Sequence, residues 1–332
     1  MKRVLIISYY WPPSAGSGVQ RWLKFVKYLP KFNWIPIVYT PENPDFHVKD
    51  ESLLSDIPEE AIILKQPIWE PYSLHRVIFG GDDKKDGNAG IVNSSSKGLK
   101  SYFSNWIRGN LFIPDPKKYW VKPSIKYLRS YLKDNPVDLI ISTGTPHSMH
   151  LIAWQLKKEF SLPWIADFRD PMSKLDMLDS YHITNSNYRK YQKIERSIIE
   201  AADIVLTTSG VWKEDFKALG AKRAEFITNG FDESDFSTQN EPYDQFVISH
   251  FGLLNHLRNP VILWQALSEL CIEEIEFKDD LRIHLGGSID KMNIEEIKTY
   301  PHLGSSLRLF DYLTHKEVIS EYQKSTVLLL LL

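Results

Sequence analysis

The chain has 332 residues, of which 43% are apolar and 25% charged, and its formal net charge is -2. That length exceeds what one ordinary core organises, so two domains are expected, and the near-zero charge excludes a general polyanion binder and points to no nucleic-acid partner. A single cysteine, Cys271, excludes an internal disulfide and fits a reducing, cytoplasmic compartment.

At the N-terminus, Lys2 and Arg3 precede the apolar run Val4 to Trp11. The run is short and Pro12-Pro13 follows at once, so it reads as a first strand rather than a signal peptide. Apolar, β-branched runs at Val4–Ser8, Ile35–Thr40, Ala61–Leu64, Leu139–Ser142, Trp164–Asp167, Ile204–Thr207 and Glu225–Thr228 predict strands of a parallel sheet buried on both faces. Helical periodicity covers Val19–Leu29, Ser148–Phe160, Tyr188–Ala201 and Val211–Leu219. The alternation predicts a doubly wound α/β domain over residues 1–230.

Residues 67–135 read as an insertion in that domain. Gly80-Gly81 and Ser94-Ser95-Ser96 mark a surface loop by composition. Lys97 to Lys133 is basic, with Tyr102, Phe103, Trp106, Phe112, Tyr119 and Trp120 interleaved. Two readings stand open: an element that contacts anionic membrane, or a helical hairpin with a solvated basic face and an inward aromatic stripe. Residues 231–245 have the composition of a linker. A second α/β series occupies 246–332: strands Phe246–Gly252, Leu281–Gly286, Leu307–Phe310 and Thr326–Leu332, with helices Pro260–Ile272, one near Ile294, and Lys316–Gln323.

Three strand ends carry chemistry. Gly16-Ser17-Gly18 follows the first strand and opens a helix, where backbone amides can meet a diphosphate. A dinucleotide fingerprint is disfavoured, because Arg21 stands in the third glycine slot and Thr40-Pro41 offers no acid for a ribose. His147 and His150 lie in a second strand-to-helix turn, and Asp167, Arg169 and Asp170 in a third. The histidines can donate to a sugar hydroxyl or phosphate. The Asp-Arg-Asp cluster can bind hydroxyls or simply form ion pairs. No ligand set has metal-binding spacing and no Asp-x-Asp is present, so neither metal nor cofactor is expected.

As an ordered set, Pro12 to Gly18, Pro163 to Pro171, Ile227-Thr228-Asn229-Gly230-Phe231-Asp232, Gly252-Leu253-Leu254 with Arg258-Asn259-Pro260, and Leu285-Gly286-Gly287 resemble the bacterial family-4 glycosyltransferases of GT-B fold, especially the polysaccharide-assembly branch. The resemblance covers nearly the whole chain. It implies two Rossmann-like domains facing across a cleft, the second incomplete, and retaining, metal-independent transfer from a nucleotide diphosphate sugar to a glycan or lipid-linked acceptor. Such chemistry serves surface polysaccharide or lipopolysaccharide synthesis at the inner face of the cytoplasmic membrane. It implies donor contacts from Gly16, Ser17, Gly18, Asn229, Gly252, Arg258, Gly286 and Gly287. His150, Asp167 and Asp170 are then expected at the reacting centre, and His147 and Arg169 on the acceptor side. Two departures stand out. Asn259 and Pro260 replace a second basic residue, and the family's paired donor-sugar glutamates would fall beyond Leu332, so weak or absent activity of this chain is expected. The rival readings are a sugar-nucleotide epimerase of the same architecture and a non-catalytic chain that binds acceptor or membrane.

Overall fold

The computed structural model describes residues 1–44, 46, 48–70 and 99–331. The chain divides into two compact units, Met1–Gly230 and Phe231–Leu332.

In the first unit, β1 (Lys2–Ile7), β2 (Trp34–Pro41), β3 (Ile62–Gln66), β4 (Leu139–Thr143), β5 (Trp164–Arg169), β6 (Ile204–Thr207) and β7 (Ala224–Phe226) form one sheet. Every pairing in it is parallel, and the order is β3-β2-β1-β4-β5-β6-β7. All seven expected strands are present, displaced at their ends by at most two residues. The alternation of β1 shows why continuous apolar runs were needed. Val4 and Ile6 face Val19, Trp22, Leu23 and Val26 of α1 (Ser17–Tyr28). Leu5 and Ile7 face the opposite core, built from α3 (Lys118–Asp134), α4 (Ser148–Phe160) and α5 (Asn185–Ala201). Each face is covered by helices, as a doubly wound sheet requires.

Part of the 67–135 insertion, residues 71–98 with Gly80-Gly81, Ser94-Ser95-Ser96 and Lys97, lies outside the described residues. The remainder is a pair of helices, α2 (Leu99–Leu111) and α3. Trp120, Ser124, Leu128 and Leu132 of α3 recur every fourth residue and are buried, and Trp120 stacks on Tyr39 at 4.8 Å between centroids. Lys122, Lys126 and Lys133 stand exposed on the other side. The aromatics divide as well: Trp120 belongs to the core, whereas Tyr102, Phe103 and Tyr119 are exposed.

The first unit is completed by α6 (Gly210–Ala218). The second unit holds the four-stranded parallel sheet β10-β9-β8-β11, from β8 (Val247–Leu254), β9 (Arg282–Ile289), β10 (Leu307–Leu309) and β11 (Val327–Leu328). Its main core packs Ile248, Ile283 and Leu285 against Trp264, Leu267 and Cys271 of α7 (Val261–Glu273) and Ile297 of α9 (Lys291–Thr299). Two short helices were not anticipated, α8 (Ile275–Asp280) and α10 (Leu303–Ser306), and α11 (His315–Lys324) begins with a capping box between Thr314 and Glu317. The long final strand expected over Thr326–Leu332 is a correction. Only Val327 and Leu328 pair, with Ile248 and Ser249, and both side chains are exposed. Residues 231–245 lie in the second unit, where the Tyr243 N–H donates to the Lys324 carbonyl and its hydroxyl to the Glu321 carboxylate.

Candidate functional site

The carboxyl ends of β1, β4 and β5 bring most of the expected residues of the first unit together. After β1 the chain is pinned from one side: Ala15 N–H donates to Val48 O at 3.1 Å, and Asp50 N–H to Pro13 O at 2.8 Å. Gly16 then takes φ 93°, a conformation that only glycine adopts cheaply, and Ser17 begins α1. No side chain caps this helix and no acid occupies its first turn, so its leading amides keep their capacity for an anion.

Arg169 reaches this loop from β5. A register shift between Asp167 and Arg169 ends the strand, and Arg169 adopts φ 58°. That left-handed backbone costs a side-chain-bearing residue about 1 kcal/mol. Hydroxyls of Thr207 and Thr208 hold its carbonyl at 3.0 and 3.2 Å. The twist directs the guanidinium to Gly18, whose carbonyl accepts from Nη1 at 3.1 Å. The ion pairing that the Asp-Arg-Asp motif allowed does not form within the motif. Asp170 is exposed, and Asp167 pairs elsewhere.

Two of the three residues expected at the reacting centre, Asp167 and His150, are buried. Asp167 is fully buried. It accepts from Trp22 Nε1 at 2.6 Å, from Arg21 Nε at 3.3 Å and from Thr143 Oγ1 at 3.3 Å. Burial pushes its carboxyl above the ordinary range, while the Arg21 guanidinium opposes that rise. It is a strut between β5 and α1, not an acid presented at the surface.

His150 is likewise fully buried, stacked on Phe168 at 4.5 Å. Trp164 Nε1 donates to Ser142 Oγ at 2.8 Å, and Ser142 Oγ lies 2.8 Å from His150 Nδ1. Nδ1 is thus engaged by the Ser142 hydroxyl, and the remaining ring nitrogen of His150 is Nε2. That Nε2 and both ring nitrogens of His147 have no hydrogen-bond partner among the described residues. A Cβ on Gly144 would lie 2.6 Å from His147 Nδ1 and 2.7 Å from His150 Nε2, so both rings lean on bare backbone. Burial, helped by the Arg169 charge, takes His147 down to about 3, and burial with His147 beside it takes His150 well below its usual value.

Sequence reasoning passed over Arg21 as a ligand of anything. Its Nη1 donates to Ile227 O at 2.9 Å and to Asn229 Oδ1 at 3.2 Å. Its place in the glycine fingerprint slot, four residues before Phe25, was the available signal; the guanidinium lies 5.0 Å from that ring.

In the second unit, Gly252 of β8 pairs in register with Gly287 of β9. Packing also requires a glycine at two of the expected donor positions. A Cβ on Gly287, at φ 97°, would meet Gly252 O at 2.5 Å, and one on Gly286 would meet Phe251 at 2.7 Å. Beyond β8, the Asn255 side chain accepts from the N–H groups of Leu257 and Arg258 at 3.0 and 3.2 Å and shapes the turn. Arg258 is exposed, and no ion pair engages it among the described residues. Asn259 is occupied: it accepts from Trp264 Nε1 at 2.7 Å and donates to Glu296 at 2.7 Å. Among the described residues no group of three His, Cys, Asp or Glu is placed to hold a metal ion.

Comparison with the curated proteins gives no sequence match. The family model described as Glycosyltransferase Family 4 matches residues 91–235, under half of the chain. Among solved structures, sucrose-phosphate synthase from Thermosynechococcus elongatus superposes with a TM-score of 0.56 at 14% identity, covering 99% of this chain and 75% of that one. HepE from Anabaena, solved in complex with UDP-glucose, superposes at 0.56 and 13%, covering 99% and 73%. The fold is GT-B. A putative UDP-N-acetylglucosamine 2-epimerase from Listeria monocytogenes shares it at a TM-score of 0.52 and 11% identity, covering 99% and 74%. At these identities GT-B describes the architecture of the two Rossmann-like units and leaves the reaction to the site.

Proposed function

We propose that the chain is a glycosyltransferase that moves a sugar from a nucleotide diphosphate sugar to a hydroxyl of a glycan or lipid-linked acceptor, with retention and without a metal ion. The observation that carries this reading is Arg258: an exposed guanidinium with no ion pair among the described residues, on an Asx-shaped turn at the carboxyl end of a parallel strand. Ligands of open α/β sheets bind at that edge, and departure of a nucleoside diphosphate needs fixed positive charge. The family-4 match and the UDP-glucose held by HepE support a nucleotide sugar as donor.

In the first unit the uncapped start of α1 and the Arg169 guanidinium form the polar edge that would meet the substrates. His147 and His150 pack behind it against Gly144, and Asp167 anchors α1 through Trp22 and Arg21. The basic face of α3, with the exposed Tyr102, Phe103 and Tyr119 in the same insertion, supports peripheral contact with anionic membrane and thus a lipid-linked acceptor in surface polysaccharide synthesis. No helix among the described residues is long and apolar enough to cross a membrane.

The test is calorimetry with UDP and with UDP-glucose, followed by product analysis with and without lipid-linked acceptors. Saturable UDP binding and acceptor-dependent release of UDP are expected. An isomerised nucleotide sugar formed without acceptor would assign the site to epimerisation. Absence of nucleotide binding would leave the non-catalytic reading.

A further inference from the structure

We propose that Arg21 is a positioning residue that joins the Gly16–Gly18 loop and the Ile227–Asn229 segment into one rigid body. The start of α1 and the Asn229 carboxamide would then meet the nucleotide sugar as a preassembled surface. The mention of a nucleotide sugar rests on the function proposed above; the mechanical claim does not.

The side chain of Arg21 is 3% exposed, yet its donors serve two distant parts of the chain. Nε and Nη2 point to Asp167 at 3.3 and 3.5 Å. Nη1 serves Ile227 O at 2.9 Å, Asn229 Oδ1 at 3.2 Å and, more weakly, Thr228 O at 3.4 Å. Trp22, its neighbour on α1, grips the same carboxylate at 2.6 Å. Asp167 thus fixes the guanidinium and balances its charge, leaving one edge of the fork for the segment that leaves β7.

That segment has little else to hold it. β7 is three residues long and lies at the edge of the sheet. Its last backbone bond is Ile227 N–H to Thr207 O at 2.9 Å. Phe226, Ile227, Thr228, Asn229 and Gly230 are all exposed, so burial contributes almost nothing to their order. A lysine at position 21 could still pair with Asp167 but has no planar fork to reach the second set of acceptors. Stability alone would not call for this arrangement, since apolar residues of similar volume serve a core at least as well as a buried ion pair. The fork therefore serves the exposed segment, and the segment runs directly into the second unit.

The experiment compares the full chain with Arg21→Lys, Arg21→Met/Asp167→Asn and Asn229→Ala. Hydrogen exchange is read over residues 14–20 and 225–232, beside the thermal midpoint and UDP binding by calorimetry. In Arg21→Lys, exchange of the Ile227 amide, the last hydrogen-bonded N–H of the segment, is expected to rise by about tenfold or more while the protection of β1, β4 and β5 is kept. The dissociation constant for UDP is expected to weaken by about tenfold through lost preorganisation. Asn229→Ala should weaken UDP similarly without loosening residues 14–20, and adding it to Arg21→Lys should bring little further loss. The double variant, which removes both charges, should keep the fold but show the same loosened segment. Unchanged exchange of the Ile227 amide in Arg21→Lys overturns the proposal, as does a uniform rise across the unit, which would make Arg21 a general core element. If the parent chain does not bind UDP, the functional reading fails and the exchange comparison alone decides the role of Arg21.

Discussion

The carboxylate of Asp115 accepts hydrogen bonds from both the backbone N–H and the hydroxyl of Ser148, each at 2.8 Å. Ser148 is the first residue of α4, and the N-cap position, His147, makes no side-chain cap of its own. A residue from the turn between α2 and α3 therefore caps the helix that carries His150. The α2–α3 hairpin and the histidine turn are mechanically one piece.

Asp115→Ala is expected to destabilise the first unit by about 1–3 kcal/mol, because it leaves two leading donors of α4 and the Lys117 N–H without their acceptor. Ser148→Ala removes one of these bonds and should cost about 1 kcal/mol. Urea unfolding measures both. Equal effects from the two changes would mean that Asp115 acts through Ser148 Oγ alone.

The buried histidines make stability fall in acid. Both have folded values depressed by burial, His147 to about 3, whereas an unfolded histidine titrates near 6.5. Below that unfolded value the unfolded chain binds more protons, so stability is complete above about pH 6.5 and declines as pH falls toward the folded values. Each histidine contributes a slope of at most about 1.4 kcal/mol per pH unit. Unfolding free energy between pH 5 and pH 7.5 should therefore rise with pH, and His150→Gln should flatten the slope. A parent slope near zero would place the rings in contact with solvent.

Glycines in the site divide by what a methyl group would meet. On Gly144 it would collide with both histidine rings, and Gly144→Ala should cost about 1–3 kcal/mol through forced repacking. On Gly18 it would meet Tyr10 at 3.4 Å and Arg169 Nη1 at 3.8 Å, which is ordinary contact. Gly18→Ala should leave stability within about 1 kcal/mol, and Gly18→Val should lower transfer or UDP binding more than it lowers the thermal midpoint. Thermal melts set beside calorimetry separate the cases. Full UDP affinity in Gly18→Val would remove that loop from the ligand site.

Membrane contact should be electrostatic. Changing Lys122, Lys126 and Lys133 together to Glu is expected to abolish flotation with phosphatidylserine vesicles at low salt, each lysine near the surface being worth about 1 kcal/mol. High salt should release the parent chain as well. Equal flotation of parent and variant would shift the contact to Tyr102, Phe103 and Tyr119.

Strand and helix order were legible in the sequence because sheets covered on both faces demand unbroken apolar runs. Val4 to Ile7 and Leu139 to Ser142 announce themselves that way. The glycine loop was legible through its place after the first strand. What stayed hidden depends on contacts between distant residues. No local pattern says that Asp167 faces inward to Arg21, or that Arg169 turns left-handed to reach Gly18. The histidines sat at the anticipated strand end, but their side chains turned into the core, because Ser142 and Phe168 offered a hydrogen bond and a stacking face there. At Gly286 and Gly287 the sequence alone could not separate two causes, because close packing of β8 and β9 calls for the same residue type as a ligand would.

The order of strands in the seven-stranded sheet sets a timetable for synthesis. β1 is the third of seven strands, and its second neighbour is β4, where Val4 stands opposite Leu139. A ribosome making roughly 5–20 residues each second needs on the order of ten seconds between the two. During that interval β1, β2 and α1 can assemble, yet one edge of β1 waits open for a partner not yet made. Nascent chains stalled between residues 67 and 138 should be the species that chaperones capture, and release should coincide with the emergence of Leu139–Thr143.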